Sequence, residues 1–450
     1  MHPIQAKDLS AAAPSPVPRL AAPPDSPARA EWGDSPAGHD TPAHEAVADA
    51  GAGAEARAKA EAEAEAVDAD VSAAVGHVLE QVLADRLARA GVLDALFAAE
   101  LAERVARFTC EGGKRTRSQL LWWSMRACGG GDAPTVAATL RIGAALELLQ
   151  TCALVHDDLM DGSALRRGRP TLHAALQARY DTAAPAARTA RFGEAAAVLA
   201  GDLALAWADD LMAETAPEPA AQRAPAAAAI VRRVWSDMRT EMVAGQFLDL
   251  QGQLTGSRSQ AQALRAAQLK SALYSVQRPL ALGAAMAGAD GRTTRALCSA
   301  GRCVGMAFQL RDDLDDVFGD PRRTGKSCGD DIRNGKPTYL AALAVARAEA
   351  AGDRTATAVL ERALGDEDLS HEGLDEVREV LVRTGARHAV ETKIDRLSAR
   401  GLRHFEGALP DTGAKARLRD LLTAAATSRD QAGRRDHAGP EGFAAAEAGR

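Results

Sequence analysis

The sequence predicts an all-α protein, folded mainly as a single-domain helical bundle. Ala, Leu, Arg and Glu dominate the 450 residues, whereas aromatic residues make up only 4%. Helices favour the residues that are abundant here, and strands favour the β-branched and aromatic residues that are scarce. From about Val75 onwards, apolar residues recur at helical spacing between turns rich in Gly and Pro, for instance at Leu146, Leu149, Ala153 and Leu154. Composition and periodicity therefore agree on the class.

Residues 1–75 differ from the rest of the chain. They carry nine of the 20 prolines, one aromatic residue (Trp32), and 13 acidic against five basic side chains. Such a segment buries too little apolar surface to offset its chain entropy, so we expect it to be disordered. We place one helical domain at residues 76–428 and a polar, disordered tail at residues 429–450.

Charge and cysteine placement limit the ligand class and the compartment. The net charge of −7 gives no basic footprint along the chain, which argues against nucleic acid as the main ligand. The six cysteines are scattered without a CxxC pair, as expected of reduced thiols. The first residues lack a signal-peptide pattern, and no stretch approaches about 18 uninterrupted apolar residues. We expect a soluble, cytoplasmic protein.

Two aspartate clusters follow apolar helical runs and share the spacing D-D-x-x-D. The two triplets are Asp157, Asp158 and Asp161, and Asp312, Asp313 and Asp316. Residues four apart share a helix face, so each triplet presents its carboxylates together. A solvated acidic face is the ordinary reading of one such triplet, but the repeat on two semi-buried helices favours divalent cations. Carboxylates completed by water and phosphate are magnesium ligands, which predicts a multi-metal diphosphate clamp.

Basic residues accompany both clusters. Lys114 and Arg117 follow a diglycine, whereas Arg166 and Arg167 follow the first triplet within one short loop. Further lysines beside Gly or Ser are Lys270 (next to Ser271), Lys326 and Lys336. Arg forks match phosphate oxygens and Lys adds a point charge, so two separate basic clusters predict two separate diphosphates. For each basic cluster alone, solvated surface residues are the alternative.

The chain resembles the trans-isoprenyl diphosphate synthase (polyprenyl synthetase) family, and bacterial geranylgeranyl diphosphate synthases in particular. The segments that carry the resemblance, spread over most of residues 76–428, are GGKRTR, LVHDDLMDGSALRRGRPTLH, GDLALAWA, GQFLDL, KSALYSVQRPLALGAAMAG and FQLRDDLDDVFGDPRRTGKSCGDDIRNGKPTYL. The resemblance implies a bundle around a deep central apolar cavity, working as a homodimer. It also implies Mg²⁺-dependent condensation of isopentenyl diphosphate with allylic diphosphates.

The same resemblance assigns residue roles. Both aspartate triplets would hold three Mg²⁺ ions on the allylic diphosphate. The implied ligands of isopentenyl diphosphate are Lys114, Arg117 and Arg167, and those of the allylic diphosphate are Arg166, Lys270 with Ser271, and Lys326. Gln309 would order metal-bound water, whereas Gln246 and Asp249 would line the cavity.

The sequence departs from the family pattern at two positions. Gln150 stands where many members have His, and Ser118 stands where the basic motif often ends in Pro. Gln still donates a hydrogen bond to phosphate, so we expect function to survive.

The residues that precede Asp157 predict the product length. Ala153, Leu149 and Leu146 lie four, eight and eleven residues before it on one helix face, with Cys152 beside the first. Each turn deepens the pocket by about 5.4 Å, close to one isoprene unit. Family members that stop at fifteen carbons commonly carry a bulky aromatic at the Cys152 or Ala153 position, and both residues are small here. Geranylgeranyl diphosphate is the predicted product, with a longer polyprenyl diphosphate as the alternative.

Two other functions stay open. A class I terpene cyclase also uses an aspartate-rich cluster, but it needs no isopentenyl clamp and usually has a second cluster of another type. An inactive partner subunit of a heteromeric synthase typically loses aspartates, and all six are present here. We expect the N-terminal extension to be dispensable for catalysis, with deletion of residues 2–70 leaving turnover near normal. By analogy with other terpenoid enzymes, it is predicted to address a partner such as an encapsulin-type protein shell.

Overall fold

The structure is a computed structural model that describes residues 58–166, 168–215, 225–319 and 328–427. Within these ranges the chain is helical apart from one short hairpin, which confirms the all-α prediction. The predicted disorder of residues 1–57 and of the tail after residue 427 concerns parts of the chain outside the described residues.

The helices are numbered along the chain. The first half comprises α1 (Val71–Leu93), α2 (Ala95–Phe97, a π-helical turn Ala98–Ala102, and Glu103–Cys110), α3 (Thr116–Ala127), α4 (Ala133–Met160), the antiparallel strands β1 (Leu165–Arg166) and β2 (Arg169–Pro170), α5 (Leu172–Arg179) and α6 (Ala186–Thr215). The second half comprises α7 (Pro225–Leu254), α8 (Gln260–Ala267, a π-helical stretch Gln268–Gln277, and Arg278–Met286), α9 (Gly291–Phe318), α10 (Asp330–Arg333), α11 (Tyr339–Ala351), α12 (Arg354–Ala363), α13 (His371–Arg383), α14 (Ala386–Glu406) and α15 (Gly413–Ala426).

Helix α4 is the central helix of the first half. Asp132 caps it by accepting a hydrogen bond from the Thr135 backbone N–H, which satisfies a donor that the helix itself leaves unpaired. Its middle turns are fully buried, and it packs against α1, α3 and α6. Among the described residues, α4 is also the one helix long and apolar enough to cross a membrane, but 67% of its most apolar window is buried inside the protein. Its apolar character is therefore that of a core helix.

Helix α9 is the central helix of the second half, as α4 is of the first. Asp290 caps it through the Thr293 backbone N–H, and Val304, Ala307 and Leu310 are fully buried along it. It packs against α8, α14 and α15, while α3 packs against both α4 and α8. The two helices that carry the aspartate triplets are thus each fixed in packed core. Each triplet lies at the C-terminal end of its helix.

The boundary predicted at residue 75 is corrected by the structure. Residues 58–69 are helical, α1 begins at Val71, and Ala64, Val71 and Val75 are buried. The helical part of the chain therefore reaches back to residue 58, and the part of the extension from 58 to 75 packs on the domain.

The anchors of this segment are mostly ionic. Arg126 of α3 pairs with Glu61 at 2.7 Å and with Asp68 at 3.0 Å, and the Trp122 indole N–H donates to Asp68 at 2.7 Å. Because these anchors form no apolar stripe, hydrophobic periodicity does not reveal them. We name residues 58–70 the N-terminal strap.

Candidate active site

The first aspartate triplet lies at the C-terminal end of α4. Like charges repel there, and the helix dipole adds further negative charge, so the carboxylates need cations nearby. Arg166 of β1 supplies one, with its Nε 2.6 Å from Asp158 Oδ1 and its Nη2 3.7 Å from Asp157 Oδ2. The Asp158 side chain is only 2% exposed, and this burial raises its pKa although Arg166 acts in the opposite direction.

Lys270 supplies the second cation. Its Nζ lies 2.9 Å from Asp157 Oδ1 and 2.8 Å from Asp249 Oδ2, so it joins α4 to α7. Burial alone would lower the pKa of Lys270, but Asp157 and Asp249 outweigh that effect and hold it above its ordinary value. The lysine sits in the π-helical stretch of α8, a distortion common at functional sites. Gly245 of α7 allows the close approach, because a Cβ there would lie 2.1 Å from the Lys270 backbone N.

Lys336 supplies the third cation and was not among the predicted site residues. Its Nζ lies 2.8 Å from Asp161 Oδ2 and 3.4 Å from Asp331 Oδ1, and these carboxylates raise its pKa well above the ordinary value despite burial. The Asp331 backbone N–H in turn donates to Asp316 Oδ2 at 3.1 Å. This chain of contacts connects the first triplet to the second. The signal in the sequence was the Gly-Lys-Pro-Thr segment, which is weak evidence on its own.

The second aspartate triplet lies in the last turns of α9. Asp313 is buried, and its Oδ1 accepts a hydrogen bond of 2.8 Å from Gln309 Nε2. Burial raises the pKa of Asp313 well above its ordinary value, and the neighbouring carboxylates of Asp331 and Asp312 add to the rise. Asp312 and Asp316 are half-buried beside it. Gln309 therefore holds an aspartate side chain directly.

The carboxylate oxygens of the two triplets suit a hard divalent cation that completes its coordination shell with oxygens of a bound diphosphate and water. Across the described residues, no three Asp, Glu, His or Cys side chains converge closely enough to hold a metal ion on their own. However, besides Asp157 Oδ1, which faces Lys270 Nζ, two buried oxygens of the first triplet, Asp158 Oδ2 and Asp161 Oδ1, accept no hydrogen bond. Buried carboxylate oxygens without donors fit Mg²⁺, which typically binds one or two carboxylates and completes its octahedron with water and phosphate oxygens.

The basic loop between α2 and α3 forms a separate region. Lys114 is exposed, whereas Arg117 is half-buried, with its Nη2 2.9 Å from Ser275 Oγ and its guanidinium 4.3 Å from the centre of the Tyr274 ring. The Tyr274 hydroxyl donates to Gln150 Oε1 at 2.8 Å. Gln150 thus faces the same region as Arg117, and Tyr274 is a member of it that the sequence did not indicate.

Ser118, the second departure from the family pattern, also has a clear partner. Its hydroxyl donates to the buried carboxylate of Glu147 at 2.6 Å. A proline at this position could not make this bond. Glu111 of the basic loop pairs with Arg169 of β2, so the loop and the hairpin are in contact. Arg167 and Lys326, both predicted site residues, lie outside the described residues.

The remaining predicted residues lie on α4, α7 and α8. Leu146 and Leu149 are fully buried, Cys152 is nearly so, and Ala153 is half-buried one turn from Asp157. The Cys152 thiol lies 3.8 Å from His156 Nδ1, and burial raises its pKa to about 12. Gln246 Nε2 donates to Met160 Sδ at 3.5 Å, and Ser271 is half-buried beside Lys270.

Two surface clefts lie away from the aspartate side chains. One, of about 740 Å³, is lined by Phe318, Arg333, His371 and Arg378 among others. The other, of about 900 Å³, lies between the N-terminal strap, the end of α3 and the loop before α15. Neither cleft is lined by an aspartate of the two triplets. We therefore place the candidate active site at the triplets and the cations that face them, and not in these clefts.

Comparison with known proteins agrees with this geometry. The polyprenyl synthetase family model matches residues 99–380. The chain is 36% identical to the farnesyl diphosphate synthase of Geobacillus stearothermophilus over 258 residues, which are 56% of this chain and 77% of that enzyme. It is also 36% identical to the geranylgeranyl diphosphate synthase of Mycobacterium tuberculosis over 249 residues, 54% of this chain and 62% of that enzyme.

Among solved structures, the fold is similar to that of a geranylgeranyl pyrophosphate synthase from Corynebacterium glutamicum. That structure is a complex with isoprenyl diphosphate and magnesium. The TM-score is 0.71 at 35% sequence identity, and the match covers 78% of this chain and 98% of the other. Equal identity to enzymes that make products of different length means that similarity alone does not fix the product.

Proposed function

This chain belongs to the polyprenyl synthetase family and is a chain-elongating trans-prenyltransferase, and on that premise we propose that its main product is geranylgeranyl diphosphate. The substrates would be isopentenyl diphosphate and allylic diphosphates up to farnesyl diphosphate. The observation that carries the proposed chemistry is the connection of both aspartate triplets through one lysine. Asp161, Lys336 and Asp331 form that connection, which ends at the Asp316 carboxylate.

We propose that the two triplets hold Mg²⁺ against the allylic diphosphate. All six aspartates would be ligands, and in the first triplet the buried oxygens that accept no hydrogen bond, Asp158 Oδ2 and Asp161 Oδ1, are open to a metal ion. The ions would supply charge neutralisation of the leaving diphosphate. Lys270 and Arg166 would add fixed positive charge on the same group, since both are already held against the first triplet.

The chain's own residues would then separate the two substrates. Lys114 and Arg117 would hold the diphosphate of isopentenyl diphosphate in the region of Tyr274 and Gln150. Ionisation of the allylic C1–O bond leaves a cation that the double bond of isopentenyl diphosphate attacks, and the released diphosphate takes the C2 proton. The buried apolar turns of α4 beneath Asp157 would exclude water, which otherwise converts the cation to an alcohol.

The proposed product length depends on the turns of α4 below Asp157. Ala153 and Cys152 leave the first turn open, whereas Leu149 and Leu146 are larger and fully buried further down. Ala153→Phe should therefore shift the main product from geranylgeranyl to farnesyl diphosphate at comparable total turnover, which chromatography of the products measures. Ala153→Ser, which adds little bulk, is the matched control and should keep the longer product. An unchanged product length in Ala153→Phe would place the floor of the cavity on another helix.

We also propose a homodimer. Large apolar side chains are exposed along α6 at Phe192 and Leu199, with 47% and 59% of their surfaces accessible. On α7, Val243 and Phe247 are 65% and 66% exposed and lie four residues apart on one face. Large apolar side chains exposed at helical spacing on α6 and on α7 are typical of an interface, and a two-fold axis would bury them against a second copy.

A further inference from the structure

Arg115 has an unusual backbone conformation inside the basic loop. Its φ of 48° makes it the one non-glycine residue with positive φ in the described part of the chain. The left-handed region disfavours residues with a Cβ and persists only where the surroundings enforce it. Arg115 directly follows Lys114 and precedes the first turn of α3. Its conformation therefore sets the direction in which the chain presents Lys114.

The Arg115 side chain binds α1. Its Nη1 donates to the Ser72 carbonyl at 2.5 Å, and a weaker contact of 3.5 Å joins Nη2 to the Cys110 carbonyl. Gly76, one turn along α1, makes room for the guanidinium, because a Cβ there would lie 2.3 Å from Nη1. A helix-interior glycine is unfavourable by itself, so its presence is explained by this contact.

A second contact holds Lys114 through Gln119 of α3, which also reaches α1. The Gln119 side-chain amide donates to the Lys114 carbonyl at 2.6 Å and to Ser72 Oγ at 3.2 Å. The first turn of α1 is in turn capped by Asp70 and follows directly on the N-terminal strap, which Arg126 and Trp122 fix to α3. Ser72 thus anchors both Arg115, which follows Lys114 in the chain, and Gln119, which binds the Lys114 carbonyl.

We propose that Arg115 is a positioning residue for isopentenyl diphosphate binding: anchored on Ser72 and Gly76 of α1, it holds the basic loop so that Lys114 faces the diphosphate. The inference rests on the proposed function, because it takes Lys114 as a ligand of that substrate. It predicts a selective effect. Loss of the anchor raises the Michaelis constant for isopentenyl diphosphate, whereas the allylic site, built on α4, α7 and α8, is unaffected.

Steady-state kinetics with each substrate varied separately tests the proposal on the full chain. Arg115→Ala should raise KM for isopentenyl diphosphate about tenfold, with kcat and the allylic KM within about twofold of wild type. Gly76→Ala should raise the same KM by a smaller factor, since the new methyl displaces the guanidinium without removing its charge. Lys114→Ala gives the effect of losing the ligand itself, and Arg89→Ala, an exposed arginine on α1, is the matched control.

A purely structural role would reduce the fraction of active enzyme and so lower kcat without changing KM for either substrate. An unchanged KM for isopentenyl diphosphate, with or without a lowered kcat, would overturn the proposal. Equal rises in the KM values of both substrates would also overturn it. If Arg115→Ala fails to fold, Gly76→Ala decides, because alanine is the better helix former and should not weaken α1.

Calorimetric titration with isopentenyl diphosphate alone separates this inference from the proposed function. A wild-type protein that binds the ligand but forms no product contradicts the function, and the ratio of Kd between wild type and Arg115→Ala then still decides the inference. A wild-type protein that binds no isopentenyl diphosphate overturns both.

Discussion

At the scale of single residues, Arg166, Lys270 and Lys336 balance the carboxylates at the end of α4. Both aspartate triplets were predicted from the D-D-x-x-D spacing, and the structure places them at the ends of two core helices. Arg166 lies only eight residues after Asp158, but the other two cations that face the first triplet, Lys270 and Lys336, come from distant parts of the chain. Lys336 is 175 positions from Asp161, and no local periodicity reports such a contact. Lys270 was predicted from family resemblance, whereas Lys336 stood only as a weak Gly-Lys pair.

The left-handed conformation of Arg115 is a second residue-scale feature that the sequence concealed. Glycine, Asn and Asp are the residues expected at positive φ, so an arginine gives no signal of it. Ser118 and Gln150 were recognised as departures from the family pattern, and their partners, Glu147 and Tyr274, emerge only from the packing of α3, α4 and α8.

Replacing Asp157 by Ala should lower turnover by several powers of ten while the fold is kept. Each factor of ten corresponds to about 1.4 kcal/mol of transition-state stabilisation, and loss of a metal ligand removes several such factors. Removing one of several repelling carboxylates opens no apolar cavity, so thermal stability should stay near that of wild type. Asp315→Ala on α9, which lies outside the D-D-x-x-D pattern, is the control and should stay within about tenfold of wild type. Turnover of Asp157→Ala within that same range would contradict the metal-clamp assignment.

At the scale of helices, the core elements were predictable and the N-terminal strap was not. Apolar periodicity marks α4 and α9 because their buried faces are Leu, Val and Ala. The strap instead carries alternating Ala and Glu, and only Ala64 within it is fully buried. Its anchors are the carboxylates of Glu61 and Asp68, whose partner Arg126 lies 58 or more positions away. Composition therefore indicated disorder where ion pairs hold a helix.

Two truncations distinguish the strap from the rest of the extension. Deleting residues 2–57 should leave turnover and melting temperature near those of the full chain, since the strap is retained. Deleting residues 2–70 also removes Asp68 and the Asp70 cap of α1, a cap that typically contributes about 1 kcal/mol. We expect a lower melting temperature and a raised KM for isopentenyl diphosphate in that second variant. Equal behaviour of the two truncations would show that the strap has no role in the site.

At the scale of the whole molecule, helix content and the order of motifs were enough to predict the fold. The two halves of the bundle meet along α3 and α8, and the site forms where the ends of α4 and α9 approach the π-helical stretch of α8. That stretch distorts the helix, and propensity scales treat it as ordinary helix. Sequence patterns therefore predicted the bundle and the acids, whereas the irregular backbone that positions Lys270 required the structure.

The homodimer predicts a clear response to surface charge. Leu199→Glu places a carboxylate in the exposed apolar stripe of α6 and should convert the dimer to monomers, as measured by light scattering during size-exclusion chromatography. Val382→Glu on α13, which is 54% exposed, introduces the same change elsewhere and should leave the dimer intact. A wild-type protein that is monomeric at micromolar concentration would contradict the proposal directly.

The product that the purified protein forms shows whether it elongates an allylic diphosphate. Purified protein is incubated with Mg²⁺, farnesyl diphosphate and labelled isopentenyl diphosphate, and the products are separated by chromatography before and after phosphatase treatment. We expect a twenty-carbon allylic diphosphate, whose formation stops when EDTA removes the metal. A hydrocarbon formed from farnesyl diphosphate without incorporation of label would indicate a terpene cyclase, and no product at all would indicate an inactive partner subunit. Either of these results would contradict the account.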